Sequence, residues 1–184
     1  MRRKIEIIIS LISIFLCSPI FLGIAILIKF TSKGSIFYKQ ERVGLNGKCF
    51  FLYKFRSMFE DAESETGPVW AKKNDSRVTF IGKILRKTRL DELPQLINVL
   101  KGDMALVGPR PERPYFASRH KSLRGIRLSV KPGLTGLAQI QGYYDTIPRN
   151  KLRYDYLYIK NRSILLDVKI ILKTLLVIFT KPGT

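Results

Sequence analysis

The chain carries an unbroken apolar run, IIISLISIFLCSPIFLGIAILI from Ile7 to Ile28, with no charged side chain in it. Roughly 22 residues at 1.5 Å rise make about 33 Å of helix, enough to cross a hydrocarbon core. Its length, and the lack of a small-x-small pattern after it, argue against a cleaved signal peptide. Residues 164–179 are also apolar, but Asp167, Lys169 and Lys173 interrupt them, which suits an interfacial amphipathic helix rather than a span.

Two features complicate a plain crossing. Arg2, Arg3 and Lys4 precede the run while Lys29 and Lys33 follow it, so positive charge does not distinguish its ends. Ser18-Pro19 falls near the middle, where proline removes a backbone donor and clashes with the carbonyl one turn earlier. The Ser18 hydroxyl is placed to satisfy a freed acceptor. The residues leave two readings open: a helix broken at Ser18-Pro19 that enters one leaflet and returns, or a kinked spanning helix. Either way, residues 1–30 read as an anchor, and 31–184 as one globular domain.

Lys and Arg total 33 against 14 Asp and Glu, a formal charge of +19. Such an excess speaks of partners: nucleic acid, anionic lipid or phosphorylated small molecules. A nucleic-acid partner is not expected, because that reading leaves the apolar run unexplained and no zinc, homeodomain or RNP pattern is visible. Cys17 and Cys49 make no disulfide framework, and Cys17 lies inside the run, so the setting reads as reducing and cytosolic. The single histidine, His120, removes His-rich metal sites and reads as a surface residue.

The soluble part is expected to be α+β, mostly helical with a small sheet. β-rich runs flank Asn46-Gly47, a hairpin signal. Residues 59–75 read as a short helix and a loop around Gly67-Pro68. Val78, Ile81, Ile84 and Leu85 have helical spacing. DELPQLINVLKG reads as a helix closed by Gly102. Turns are expected at 108–114 and 131–136, and a largely helical tract from residue 150 onward.

Asp91 and Glu92 stand out because they adjoin Arg86, Lys87 and Arg89. Pro94 is tolerated only in a first helical turn, which predicts Asp91 as N-cap with Glu92 just inside. The helix dipole, with Arg86 and Arg89, would then keep Asp91 ionised, and the same N–H groups attract phosphate. Two readings follow: acidic caps that balance local charge, or a carboxylate beside a bound phosphate, poised to form an aspartyl-phosphate. Adjacent helical residues point apart, so a glycosidase-type pair fits poorly. Mg²⁺ fits, since it takes one or two carboxylates plus phosphate oxygens. Pro109 and Pro111 stiffen the loop that presents Arg110, whose fork suits phosphate or uracil. Asp167, in the most apolar helix, must be paired, ligate something or face the interface.

Together these stretches resemble the bacterial sugar transferases known as monotopic phosphoglycosyl transferases. The likeness covers nearly the whole chain: the Ser-Pro apolar segment, KFRSM, LRKTRLDELPQLINVLKGDMALVGPRP, VKPGLTGLAQIQG and LLDVKI. It implies a re-entrant helix broken at Ser18-Pro19, with residues 31–184 a catalytic domain on the cytoplasmic face of the bacterial inner membrane. It implies transfer of a phosphosugar from a UDP-sugar to polyprenol phosphate with Mg²⁺, releasing UMP, as the first membrane step of glycan assembly. By resemblance Asp91 is the nucleophile, Glu92 holds Mg²⁺ or orients it, Arg86 binds phosphate and Asp167 is a further active-site acid. Pro109, Arg110 and Pro111 contact the nucleotide, and Lys54 and Arg56 bind substrate. An anionic bilayer is the expected surface, and a homodimer the candidate assembly.

One position departs from the pattern. Tyr143 in QGYYD stands where relatives usually carry arginine, so that contact is absent or supplied by Lys151 or Arg153. GPVWA and PRPERPYF look closest to relatives that use hexoses such as glucose or galactose. The rival to an enzyme is a non-catalytic basic scaffold at the membrane surface; a lipid-phosphate hydrolase would instead release inorganic phosphate.

Overall fold

In the computed structural model, helix α1 (Arg2–Thr31) passes through Ser18-Pro19 with no interruption of its secondary structure. Pro19 has no N–H for the Phe15 carbonyl, and that carbonyl accepts the Ser18 hydroxyl at 2.8 Å instead. The structure describes residues 2–64, 67–69, 75–141 and 148–180.

One stripe of α1 turns inward: Glu6, Ser10, Ile24 and Ile28 are buried, and Ile14 and Phe21 pack against the cores. The opposite face is bare, with Phe15 78% and Leu16 68% exposed. By length and composition α1 is the one helix among the described residues that could cross a membrane. Both of its ends nevertheless rest on the same globular body. Arg2 donates to the Tyr158 hydroxyl at 2.6 Å and pairs with Asp167. Arg3 caps the carbonyls of Val99 and Leu100 at 2.5 and 2.8 Å. Near the other end the Phe21 ring meets that of Phe55, centroids 5.3 Å apart.

The expected hairpin is present: β1 (Phe37–Val43) and β2 (Cys49–Phe55) pair antiparallel from Val43↔Cys49 to Phe37↔Phe55. Asn46 and Gly47 take φ of 55° and 79° at the turn, where a Cβ-bearing residue other than Asn or Asp is disfavoured. No helix forms over the described part of 59–75; residues 60–64 make turns. Helix α2 (Phe80–Thr88) is capped by Thr79, whose hydroxyl accepts the Gly82 N–H at 2.9 Å. The expected apolar face holds at Leu85 and Ile81 but not elsewhere. Val78 precedes the helix in a bridge to Met58, and Ile84 faces out with Phe80 one turn before it.

The stretch after α2 corrects the sequence expectation. Arg89, at φ 58°, ends α2 in the left-handed region; Leu90–Glu92 form a single 3-10 turn; helix α3 (Gln95–Lys101) starts only after Pro94. Asp91 is therefore not an N-cap, and its carboxylate bonds no backbone N–H. Gly102 closes α3 as expected, at φ 93°.

A second sheet appears that was not expected, with one of its strands inside the expected 131–136 turn. β3 (Ala105–Val107) and β4 (Gly133–Thr135) pair in parallel. They approach so closely that a Cβ on Gly133 would sit 2.0 Å from the Gly108 nitrogen. Around them lie α4 (Pro114–Arg119), α5 (Leu137–Ile140), α6 (Pro148–Lys160) and α7 (Ile164–Thr180). The expected C-terminal helical tract is split between α6 and α7, where the Ser163 hydroxyl accepts the Leu166 N–H at 3.2 Å. Leu52, Leu96, Val99, Met104, Val107, Tyr158 and Ile170 form the main core, joining β2 and α3 to α6 and α7. A smaller core of Ile24, Ile28, Phe55 and Leu85 fastens α1 and α2 to β2.

Candidate active site

Four segments converge on Asp91: the end of β2, the last turn of α2, the 3-10 turn itself and the Pro109–Pro111 loop. Asn98 sets the first of these. It is fully buried on α3, accepts the Tyr53 N–H at 3.0 Å and donates to the Phe51 carbonyl at 2.7 Å, so it docks against β2 as a neighbouring strand would. That contact places Lys54 over the acidic pair, with its Nζ 3.7 Å from Asp91 Oδ2 and 2.9 Å from Glu92 Oε1. Arg110 forks Glu92, at 3.2 Å to Oε2 and 2.5 Å to Oε1. Arg86 is held by a bond from its Nε to the Ser57 hydroxyl, 2.9 Å long.

The two acids have opposite environments. Both oxygens of Glu92 are committed to cations. Burial pushes its carboxyl upward, but Arg110 and Lys54 outweigh that and hold it well below the usual carboxylate range. Asp91 is 6% exposed, and no described residue donates a hydrogen bond to it; Lys54 is its ion-pair partner at 3.7 Å. Burial raises its pKa despite the opposing charges of Lys54, Arg86 and Arg110. The expected helix terminus at Asp91 is thus corrected: α3 starts only at Gln95, and burial raises the Asp91 pKa against the nearby cations. Arg86 is itself lowered by burial, with Asp91 opposing the shift.

The other sequence candidates separate. Pro109 and Pro111 flank Arg110 at the site. Arg56 is buried and points away, donating to the Ser32 carbonyl and hydroxyl at 2.9 and 2.7 Å, which ties β2 to the end of α1. Asp167 pairs with Arg2 and accepts the Tyr158 hydroxyl at 2.8 Å, in a cluster that fixes α1 to α7. Lys151 bonds Glu112 at 3.2 Å beneath the Arg110 loop, and Arg153 is exposed on α6. Tyr143, Trp70 and Ala71 lie outside the described residues.

Several contributors carry no sequence signal. Arg42 donates to the Pro111 carbonyl at 3.0 Å, and burial with the nearby Arg110 pulls its pKa to about 10. Arg127 donates to the Arg110 carbonyl at 3.1 Å and to Asp155 at 2.6 Å. An isolated arginine among 33 basic residues stands out by no spacing.

Among the described residues no cluster of three or more acidic, Cys or His side chains could hold a metal. With Glu92 taken up by Arg110 and Lys54, one open carboxylate fits only Mg²⁺ that is carried largely by phosphate oxygens, not a metal caged by protein. Chemically, the site offers one carboxylate free of hydrogen bonds, beside three cations and a neighbouring acid that keeps two of them in place.

The sequence model of a family described as bacterial sugar transferase matches residues 1–181. The chain is 45% identical, over 99% of its length, to the UDP-N-acetylgalactosamine-undecaprenyl-phosphate N-acetylgalactosaminephosphotransferase of Aeromonas hydrophila. It is 47% identical, over 94%, to the UDP-glucose:undecaprenyl-phosphate glucose-1-phosphate transferase of Klebsiella pneumoniae. It spans 44% and 39% of the lengths of those two relatives. The exopolysaccharide production protein ExoY of Rhizobium meliloti strain 1021 is 36% identical over the whole chain, which covers 87% of it. The chain belongs to the bacterial sugar transferase family.

Proposed function

We propose that the chain transfers a hexose phosphate from a UDP-sugar to a polyprenol phosphate through a covalent intermediate on Asp91. The observation that carries this is the contrast within the acidic pair: Glu92 is saturated by Arg110 and Lys54, while Asp91 is buried without a hydrogen bond beside Lys54. A carboxylate meant only to cap or to balance charge is hydrogen-bonded. One left free at the meeting point of three cations is available to attack.

In the first step an Asp91 oxygen attacks the phosphorus that bears the sugar. The bond from that phosphorus to the bridging oxygen breaks, and UMP leaves with the oxygen. In the second step a phosphate oxygen of the lipid attacks the same phosphorus, the Asp91 oxygen departs, and the carboxylate is regenerated. Neither step touches the sugar's C1–O bond, so its anomeric configuration is kept. Repulsion is the chief obstacle: each pair of unit charges at 4 Å is worth about 4 kcal/mol at an effective dielectric near 20. A carboxylate facing two phosphate charges thus meets roughly 8 kcal/mol, which cations at Lys54, Arg86 and Arg110 offset. Mg²⁺ carried by the diphosphate oxygens would neutralise further charge on the leaving group, with Asp91 the acid left open to it, since Glu92 is taken up by Arg110 and Lys54. Arg110, on its stiff loop, orients the nucleotide.

Membrane geometry supports the same reading. A straight 30-residue helix is about 45 Å long, so a spanning α1 would carry its ends to opposite faces. Arg2 and Ile28, near its two ends, instead both rest on one globular body. We read α1 as held within one leaflet at the cytoplasmic face of the inner membrane, both ends on that side, with its bare apolar face in lipid and the basic surface against anionic headgroups. The two relatives of similar identity are named for N-acetylgalactosamine and for glucose, so overall likeness selects a hexose class and no single sugar.

Purified protein with UDP-glucose or UDP-N-acetylgalactosamine, Mg²⁺ and undecaprenyl phosphate in detergent tests the proposal. UMP release that depends on the lipid and disappears in Asp91→Asn is expected. Sustained release of inorganic phosphate, or no turnover with any UDP-hexose, would count against it.

A further inference from the structure

The Pro109–Arg110–Pro111 loop is gripped by every carbonyl it presents. Pro109 O accepts the Gly133 N–H at 2.9 Å, Arg110 O accepts Arg127 Nη2 at 3.1 Å, and Pro111 O accepts Arg42 Nη1 at 3.0 Å. The next carbonyl, that of Glu112, accepts the Val43 N–H at 2.9 Å. The prolines offer no N–H, so carbonyls are the loop's main means of fixation. Two of the four donors are charged side chains, from β1 and from the turn at Gly125–Ser129.

Arg127 is not a surface residue that happens to reach the loop. It is 4% exposed, and its Nε donates to Asp155 Oδ2 at 2.6 Å; Asp155 is 1% exposed on α6. Glu112, also buried, stands 4.0 Å from Arg127 and bonds Lys151 of α6 at 3.2 Å. Buried ion pairs are a poor source of stability, since apolar residues of similar size often serve as well or better. Four buried or half-buried charges gathered under one loop need another reason. A continuous run of contacts supplies it: Asp155 to Arg127, to the Arg110 backbone, through the Arg110 fork to Glu92, to Lys54 and so to Asp91.

We infer that Arg127, held by Asp155, and Arg42 are positioning residues that aim the Arg110 guanidinium, and through Glu92 set Lys54 over Asp91. This rests on the transferase reading for its kinetic consequence, while its geometric content stands apart from it. Arg127 is 4% exposed and acts through Arg110, whose carbonyl it holds.

A double-mutant cycle tests this. Arg127→Lys keeps the charge but cannot donate to Asp155 and the Arg110 carbonyl with the same planar fork. It should lower kcat/KM for the UDP-sugar on the order of 10- to 100-fold in the native background, and less than about 2-fold when Arg110 is already Ala. Equal losses in both backgrounds would make Arg127 a general stabiliser and overturn the inference. Arg42→Met, on the hairpin and outside the Asp155 pair, provides the same cycle if Arg127→Lys folds poorly. Amide exchange at Val43 and Gly133, whose N–H groups donate to the Glu112 and Pro109 carbonyls, needs no turnover: it should quicken in both variants while β2 keeps its protection. Unchanged exchange there would overturn the inference even if the native enzyme proved inactive; inactivity with quickened exchange would instead count against the transferase reading alone.

Discussion

Arg110 meets both carboxylate oxygens of Glu92, at 3.2 and 2.5 Å, so the cation expected to serve the nucleotide is also what immobilises the acid beside Asp91. Glu92 in turn holds Lys54 at 2.9 Å, and Lys54 is the cation 3.7 Å from Asp91. The three act as one unit.

Glu92→Gln should therefore damage more than one contact. Without the charge, Arg110 and Lys54 are left near each other uncompensated, and stability should fall by roughly 3 kcal/mol, the scale for breaking a buried pair. Turnover should fall on the order of 100-fold. Urea titration and UMP release check the two separately. Because its folded pKa is depressed, Glu92 stabilises the fold above its unfolded value near ~4.3. That contribution is lost as pH falls through the lower folded value.

Asp91→Asn should do the reverse to stability while abolishing activity. Burial raises the folded pKa of Asp91, so its ionisation costs nothing below the unfolded value of about 3.9; the cost accrues as pH rises from there and is complete once pH has passed the folded value. The amide escapes that cost. Its melting temperature at pH 7 should exceed that of the native protein, and the difference should shrink toward pH 3. In the native enzyme the acid limb of kcat/KM should lie above the ordinary aspartate range, since attack needs the carboxylate.

Asp167 accepts the Tyr158 hydroxyl and pairs with Arg2, which makes its first duty the fastening of α1. Asp167→Asn and Arg2→Gln should each cost about 1 to 3 kcal/mol, and the double variant hardly more than either. Additive losses in chemical denaturation would place the role of Asp167 elsewhere.

Cysteines introduced for Lys4 and Lys33, in a background without Cys17 and Cys49, should be labelled from the same side in sealed vesicles. Labelling from opposite sides would make α1 a spanning helix. The Ser18-to-Phe15 bond matters here, because it removes the unpaired carbonyl that Pro19 would otherwise leave in lipid.

The sequence made some of this visible and hid the rest for identifiable reasons. The hairpin was legible because Asn-Gly tolerates positive φ and β-rich runs flank it; the long apolar helix was legible from length and apolarity alone. The setting of Asp91 was misjudged because Arg89, a non-glycine residue, adopts φ 58° and breaks what looked like one helix-start signal. The parallel β3–β4 pair escaped because strands of three residues, with glycine and proline at their ends, show no alternation. Arg42, Arg127 and Asp155 act through contacts 17 to 69 residues away in the chain, and no local pattern encodes those.

The central claim is a bond between one Asp91 oxygen and phosphorus, and intact-mass and peptide mass spectrometry of protein quenched after incubation with UDP-sugar and Mg²⁺, without lipid acceptor, tests it most directly. The account predicts a hexose-phosphate adduct on the peptide containing Asp91, formed with about one equivalent of UMP and discharged when undecaprenyl phosphate is added. Unmodified protein that still makes lipid-linked sugar once the acceptor is supplied would contradict it.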